Sequence, residues 1–151
     1  MSYLVYQENV LKEKSIIDTD VTYVTTSTTY TDIEGSEISF TPHSLANTVV
    51  YEFTCQFSHN PDTSNWTYFQ LYEDQGSGYA SLGNGYQFVY REQNAWFENR
   101  VFVRFVLPTY SGSRSYKIKC RAYSNSYQVR LHRWDQNTQK QYPTVHMFDI
   151  L

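Results

Sequence analysis

Three carboxylates lie close to tryptophans in the second half of the chain: Glu92 and Glu98 flank Trp96, and Asp135 follows Trp134. Paired carboxylates beside an aromatic platform can cleave a glycoside, provided that the fold fixes their separation. Nothing in this spacing fixes one, and acids in loops are common, so no catalytic residue is assigned and the chain is read as a non-enzyme. His43, His59, His132 and His146 are scattered without the spacing of metal ligands, so no metal site is expected. Gly76, Gly78, Gly83 and Gly85 do not join a strand to a helix and therefore build no phosphate cradle. No cofactor is implied.

Binding chemistry is better represented. Exposed Trp and Tyr stack on the faces of sugars, while amides and carboxylates bond the hydroxyls. Tyr79, Asn84, Tyr86, Trp96 and Trp134 form the candidate recognition surface, with Trp66, Asn94 and Asn137 as further contributors. Against this, aromatics also fill cores and protein interfaces, and core or interface is the preferred reading for each Trp. The segment 75–85 holds four glycines among Ser, Tyr and Asn, which makes it the expected exposed loop.

Composition narrows the partners. The net charge of −3 sets up no field for nucleic acid or an anionic membrane. Most of the acids lie in 1–98, whereas Arg100, Arg104, Arg114, Lys117, Lys119, Arg121, Arg130 and Arg133 follow; cations alternating with apolar residues read as a solvated strand face. No apolar run approaches the ~20 residues of a membrane helix, so no membrane insertion is expected. The start of the chain lacks a basic segment leading into an apolar one, so synthesis in a cytoplasm is expected. Cys55 and Cys120 are read as buried free thiols, with a disulfide as the alternative.

The elements that must position these residues are strands. Of 151 residues, 18% are aromatic, with 15 Tyr, 9 Phe and 3 Trp, and such side chains suit a pleated, half-buried surface. Strand-like segments fall at 21–24, 29–33, 37–42, 48–57, 66–72, 86–91, 100–107, 115–123, 127–132 and 144–150. In 48–57 a period of two puts Tyr51, Phe53, Cys55 and Phe57 on one face and Glu52, Thr54 and Gln56 on the other. Likewise Tyr116, Ile118, Cys120 and Ala122 oppose Lys117, Lys119 and Arg121. The pattern predicts an all-β jelly-roll sandwich of about eight to ten antiparallel strands. Only 9–17 could form a helical turn or two. The predicted division is a short N-terminal arm over 1–19 and a jelly-roll domain over 20–151. Tyr3, Leu4, Val5 and Tyr6 make the arm a docking candidate, with an edge strand as the alternative.

The last ten residues carry no polar tail, which predicts a strand clamped inside the sandwich or at a subunit interface. Val145, Met147, Phe148, Ile150 and Leu151 are the oligomer-interface or core-strand residues. Few charges and many tyrosines also suit a homo-oligomer.

The run Thr25-Thr26-Ser27-Thr28-Thr29-Tyr30-Thr31-Asp32-Ile33-Glu34-Gly35-Ser36-Glu37-Ile38-Ser39-Phe40-Thr41-Pro42 resembles the opening of jelly-roll domains in bacteriophage tail-fibre, head-fibre and decoration proteins, including cyanophage-like ones. A Ser/Thr-rich strand, a Gly turn and an Ile-x-Phe-x-Pro step lead there into a long apolar strand, here 49–57. The closing Arg130-Leu131-His132-Arg133-Trp134 and the strand over 143–151 are similar to that family's ending. The architecture is similar to the trimeric tumour-necrosis-factor and complement globular-head modules. The resemblance spans about residues 20–151. It implies a non-enzymatic virion protein, a trimeric capsid decoration or fibre-like component docked by its arm to other capsid or tail proteins and assembled in the host cytoplasm. The alternative it implies is a tail tip that binds a host-surface glycan. The topology it implies sets the long strand beside the strand of Cys120, bringing Cys55 and Cys120 together as core packing.

Overall fold

The computed structural model describes residues 11–15, 23–59, 65–83, 86–90, 97–126, 128–132 and 142–151, with side chains described over 25–56, 67–83, 100–126, 128–132 and 142–151. Among the described residues there are twelve strands and no helix: β1 (Leu11–Ser15), β2 (Tyr23–Thr25), β3 (Thr31–Asp32), β4 (Ile38–Phe40), β5 (Thr48–His59), β6 (Asn65–Asp74), β7 (Tyr79–Ser81), β8 (Tyr86–Tyr90), β9 (Phe97–Pro108), β10 (Arg114–Ala122), β11 (Val129–Leu131) and β12 (Thr144–Ile150). All pairings are antiparallel. In the first sheet β5 is flanked by β9 on one edge, and on the other by β12 along 48–54 and β11 along 57–59; β1 and β2 extend β12 and β11. In the second sheet β10 pairs with β3 and β4 on one edge and β6 on the other, and β7 and β8 lie beyond β6. The chain passes from β4 to β5, β5 to β6, β8 to β9, β9 to β10 and β10 to β11 by changing sheets each time. This is a jelly-roll sandwich.

The core follows from the period of two. Val49, Tyr51, Phe53 and Cys55 of β5, Val101 and Val103 of β9, and Val145 and Met147 of β12 meet Phe69 and Leu71 of β6, Tyr116, Ile118 and Cys120 of β10, and Ile38 and Phe40 of β4. Each of these side chains is nearly or fully withdrawn from water, and truncating a large one to Ala removes about 3–5 kcal/mol. The Ile38-x-Phe40-x-Pro42 step is thus a strand that buries alternate residues, while its outward Ser39 meets Ser115 at 2.7 Å.

Three expectations change. The helical turn allowed over 9–17 is instead strand β1 where it is described, laid along β12 in the register Leu11↔Phe148 to Ser15↔Thr144. Lys12, Glu13 and Lys14 favour a helix weakly, but here they form the outermost strand of the sheet, where charges also discourage further pairing. Within the expected loop 75–85, Tyr79–Ser81 folds back as β7 onto Tyr72–Asp74. The Asp74 carboxylate accepts the N–H groups of Gly76 and Gly78, at 2.7 and 2.9 Å, and closes a tight turn between the two. Finally, Cys55 and Cys120 lie on strands of different sheets rather than on neighbouring strands. Both are buried and no disulfide joins them, and the Cys55 thiol is pushed up by burial first and then by the charge Cys120 would carry. The thiols approach one another across the sandwich because both face inward.

Candidate functional site

Among the described residues, no group of three His, Cys, Asp or Glu side chains converges in a way that could hold a metal. Glu92, Trp96, Trp134 and Asp135 lie outside the described residues, as do Asn84 and the arm residues Tyr3, Leu4, Val5 and Tyr6. Tyr86 opens β8 opposite Phe69. Of the expected recognition residues, only Tyr79 has a described side chain. The histidines are dispersed: His43 follows β4, His59 ends β5, His132 is buried after β11, and His146 lies on β12. The His43 Nδ1 accepts the Leu45 N–H at 3.2 Å, which commits that ring to its own turn.

Two extended faces remain, one on the outside of each sheet. On the first sheet, residues alternate away from the core in register: Val106 opposite Val50 opposite Phe148, then Arg104 opposite Glu52 opposite His146, then Phe102 opposite Thr54 opposite Thr144. Phe102 is 53% exposed, Val106 65% and Ile150 41%, whereas Val50 at their centre is fully buried. The middle row carries an ion pair, Arg104 Nε to Glu52 Oε1 at 3.4 Å. Rows two residues apart are ~6.8 Å apart along the strands, so a charged row separates the apolar row of Val106, Val50 and Phe148 from a row in which Phe102 stands beside two threonines.

The C-terminal strand contributes to both sides of this sheet. Val145 and Met147 are wholly buried in the core, while Phe148 and Leu151 are half-buried and Ile150 is exposed. Its end is pinned: the buried Asp149 carboxylate accepts the His43 N–H at 2.6 Å, and the Ile150 carbonyl accepts the Asn47 N–H at 2.8 Å.

The second sheet presents cations and tyrosines. The β10 residues Lys117, Lys119 and Arg121 stand opposite Tyr72, Gln70 and Tyr68 of β6. The Lys117 ammonium lies 3.9 Å from the centre of the Tyr79 ring, and the Lys119 ammonium 4.6 Å from that of Tyr72. The Arg121 guanidinium lies 4.0 Å from the Tyr68 ring and 5.4 Å from the Tyr30 ring. Asp32 takes both lysines, Lys117 at 2.8 Å and Lys119 at 3.1 Å. Burial raises the Asp32 carboxyl, but the two ammonium donors outweigh it and hold the group below its ordinary range. Burial, with the Glu37 carboxylate alongside, pushes the Tyr79 hydroxyl up to about 12. In the sequence these cations read as a solvated strand face. The signal of a shared surface was present in the outward rows Tyr68-x-Gln70-x-Tyr72 and Lys117-x-Lys119-x-Arg121, equal in length and period, but only the register joins them.

At one end of the sandwich, Glu73 closes the core. Its carboxylate accepts from Tyr116 at 2.7 Å, Arg114 at 2.9 Å and Gln75 at 2.6 Å. Burial acts to raise this carboxyl, and the three donors bring it below its ordinary range. A charge so fully satisfied holds structure together rather than waiting for a proton.

No protein-family model matches the sequence, and no curated protein matches it. Among solved structures, the chain is similar to Eiger TNF from S. frugiperda, at 10% identity and a TM-score of 0.39, over 93% of each chain. It is also similar to a chain in the structure of the infectious bursal disease virus Gx strain, at 11% identity and a TM-score of 0.37, covering 95% of this chain and 38% of that one. For the Gt strain of that virus the values are 11% and 0.36, over 93% and 36%. The jelly-roll assignment rests on the strand pairing described above.

Proposed function

We propose that the protein is a non-enzymatic structural component that assembles through the outer face of the first sheet, as a homotrimeric decoration or fibre-like protein of a bacteriophage particle. The observation that carries this reading is the exposure of Phe102, Val106 and Ile150 beside Phe148 on one regular sheet face. Withdrawing such residues from water against a second copy yields about 25 cal/mol per Å² of apolar surface. The Arg104–Glu52 pair places both signs between Val106 and Phe102, so an approaching copy can be oriented by complementary charge. Three copies related by a closed rotation would use one patch against a different patch of the next copy.

The trimer and the virion setting are supported by the sequence's resemblance to phage jelly-roll proteins. In this reading the arm bearing Tyr3, Leu4, Val5 and Tyr6 docks the trimer to another capsid or tail protein, and repetition over the particle multiplies weak contacts. Static light scattering of the purified chain over the micromolar range tests the assembly. The expected mass is three times the 17.9 kDa of one chain; a mass of one chain throughout that range contradicts the reading.

A further inference from the structure

We propose that the outer face of the second sheet binds an acidic saccharide, with Arg121 taking its carboxylate or sulfate and Tyr30 and Tyr68 carrying the adjoining sugar rings. This surface is separate from the assembly face, on the other side of the sandwich. Lys117 and Lys119 share Asp32 as their anion. Arg121 has two tyrosine rings as neighbours and, among the described residues, no carboxylate. Its guanidinium is therefore held in position by aromatic faces, with no anion for its donors among the described residues. A planar fork matches a carboxylate or sulfate bidentately, and a group positioned before binding loses less freedom on binding.

The surroundings select the rest of the ligand. Tyr68 stands directly opposite Arg121 across the β6–β10 ladder, and Tyr30 lies on the other side, packed edge-on to Tyr72 at 6.3 Å between ring centres. Both rings are half-buried, and the ring area that the guanidinium leaves uncovered can meet the C–H faces of pyranoses, with hydroxyls at the rims. Gln70 stands next in the row beside Tyr72, its amide nitrogen bonded to the Gly83 carbonyl and its oxygen accepting the Tyr72 hydroxyl at 3.3 Å. A nucleic acid is a poorer occupant. It carries a charge at every nucleotide and is drawn by many unpaired cations, whereas two of the three cations here already have an anion and the chain as a whole is at −3. One uncompensated fork between rings suits a ligand with sparse charge and many C–H faces.

The test is an array of neutral, uronate-containing, sialylated and sulfated oligosaccharides, followed by titration calorimetry on the best binder, with single-stranded DNA measured alongside. The wild-type chain is expected to bind carboxylated or sulfated members and not their neutral counterparts. Arg121→Gln should weaken binding at least tenfold. Arg121→Lys, which keeps the charge and loses the fork, should recover only part of it, and Tyr68→Ala should also weaken it. All three variants should keep the wild-type light-scattering mass and melting temperature, so that a failure of binding is distinct from a failure of assembly. Binding to none of the acidic saccharides, equal binding to neutral ones, tighter binding to DNA, or an Arg121→Gln chain that binds as well as wild type would each overturn the proposal.

Discussion

The two outer faces of the sandwich are built by the same rule and end with opposite chemistry. Strands β9 and β12, on either side of β5, turn Phe102, Val106, Phe148 and Ile150 away from the core, whereas β6 and β10 turn out Tyr68, Gln70, Tyr72, Lys117, Lys119 and Arg121. The first face has apolar area with one charged stripe through it. On the second, each of three cations is seated over an aromatic ring. The first gains most from excluding water against a large rigid partner; the second is suited to a ligand that brings one charge and several flat apolar faces. One fold can therefore assemble through one side and bind through the other.

The two faces exist only while the sheets stay packed, and His132 is a pH-sensitive tie between them. It follows β11 of the first sheet, and its Nε2–H donates to the carbonyl of Glu34, beside the second, at 3.2 Å. Its ring packs edge-on against Phe53, its Nδ1 has no hydrogen-bond partner among the described residues, and its backbone has a φ of 64°. Burial lowers its pKa from the ordinary 6.5 to about 4. The unfolded chain therefore takes up a proton near pH 6.5 while the folded one resists until near pH 4. Stability is full above that window and falls as pH drops through it, by about 3 kcal/mol. Urea melts at pH 7.5 and 4.5 measure this loss, and in His132→Asn the loss across that window should largely vanish. The Asp32 and Glu73 carboxyls, held low by their donors, add their own loss only at more acid pH.

A smaller effect separates the faces. Glu73→Gln removes the charge that Arg114 and Tyr116 share at the end of the second sheet. About 2 kcal/mol should be lost, from charge-assisted hydrogen bonds weakened in a nearly buried place. Assembly through the first sheet should persist, as read by mass at a denaturant concentration below the variant's transition. The smallest effect sharpens the second face. Asp32→Asn frees both lysines, and since exposed ion pairs contribute little, stability should move by no more than about 0.5 kcal/mol. Affinity for an acidic oligosaccharide should rise, and calorimetry against wild type reads the change.

Much of the fold was legible because a period of two marks inward residues without any knowledge of partners. The long strands β5, β9 and β10 and the burial of Phe53, Val103 and Ile118 follow from it directly. The period does not say which sheet a strand joins, so the side-by-side strands that the resemblance implies for Cys55 and Cys120 are instead strands of different sheets. Short elements escaped where local preference opposed the outcome: β1 is Leu-Lys-Glu-Lys-Ser, and β7 stands between glycines. Of the candidate surface, only Tyr79 stands out in the sequence as a recognition residue. Arg121, Tyr68 and Tyr30 are distant in sequence, and a register slip of one residue would turn Tyr68 inward. Which outward side chains meet is thus a property of pairing, and pairing is the part that local patterns do not carry.

The division of labour between the faces is tested most directly by the mass in solution of two double variants beside wild type. Phe102→Lys with Val106→Lys places charge on the first face, and Lys119→Gln with Arg121→Gln removes it from the second; all four sites are outward, so both chains should fold. At the same micromolar concentration the wild type and the second variant should scatter as trimers and the first variant as a monomer. A first variant that remains trimeric, or a second variant that dissociates, would contradict the assignment of assembly to the first sheet.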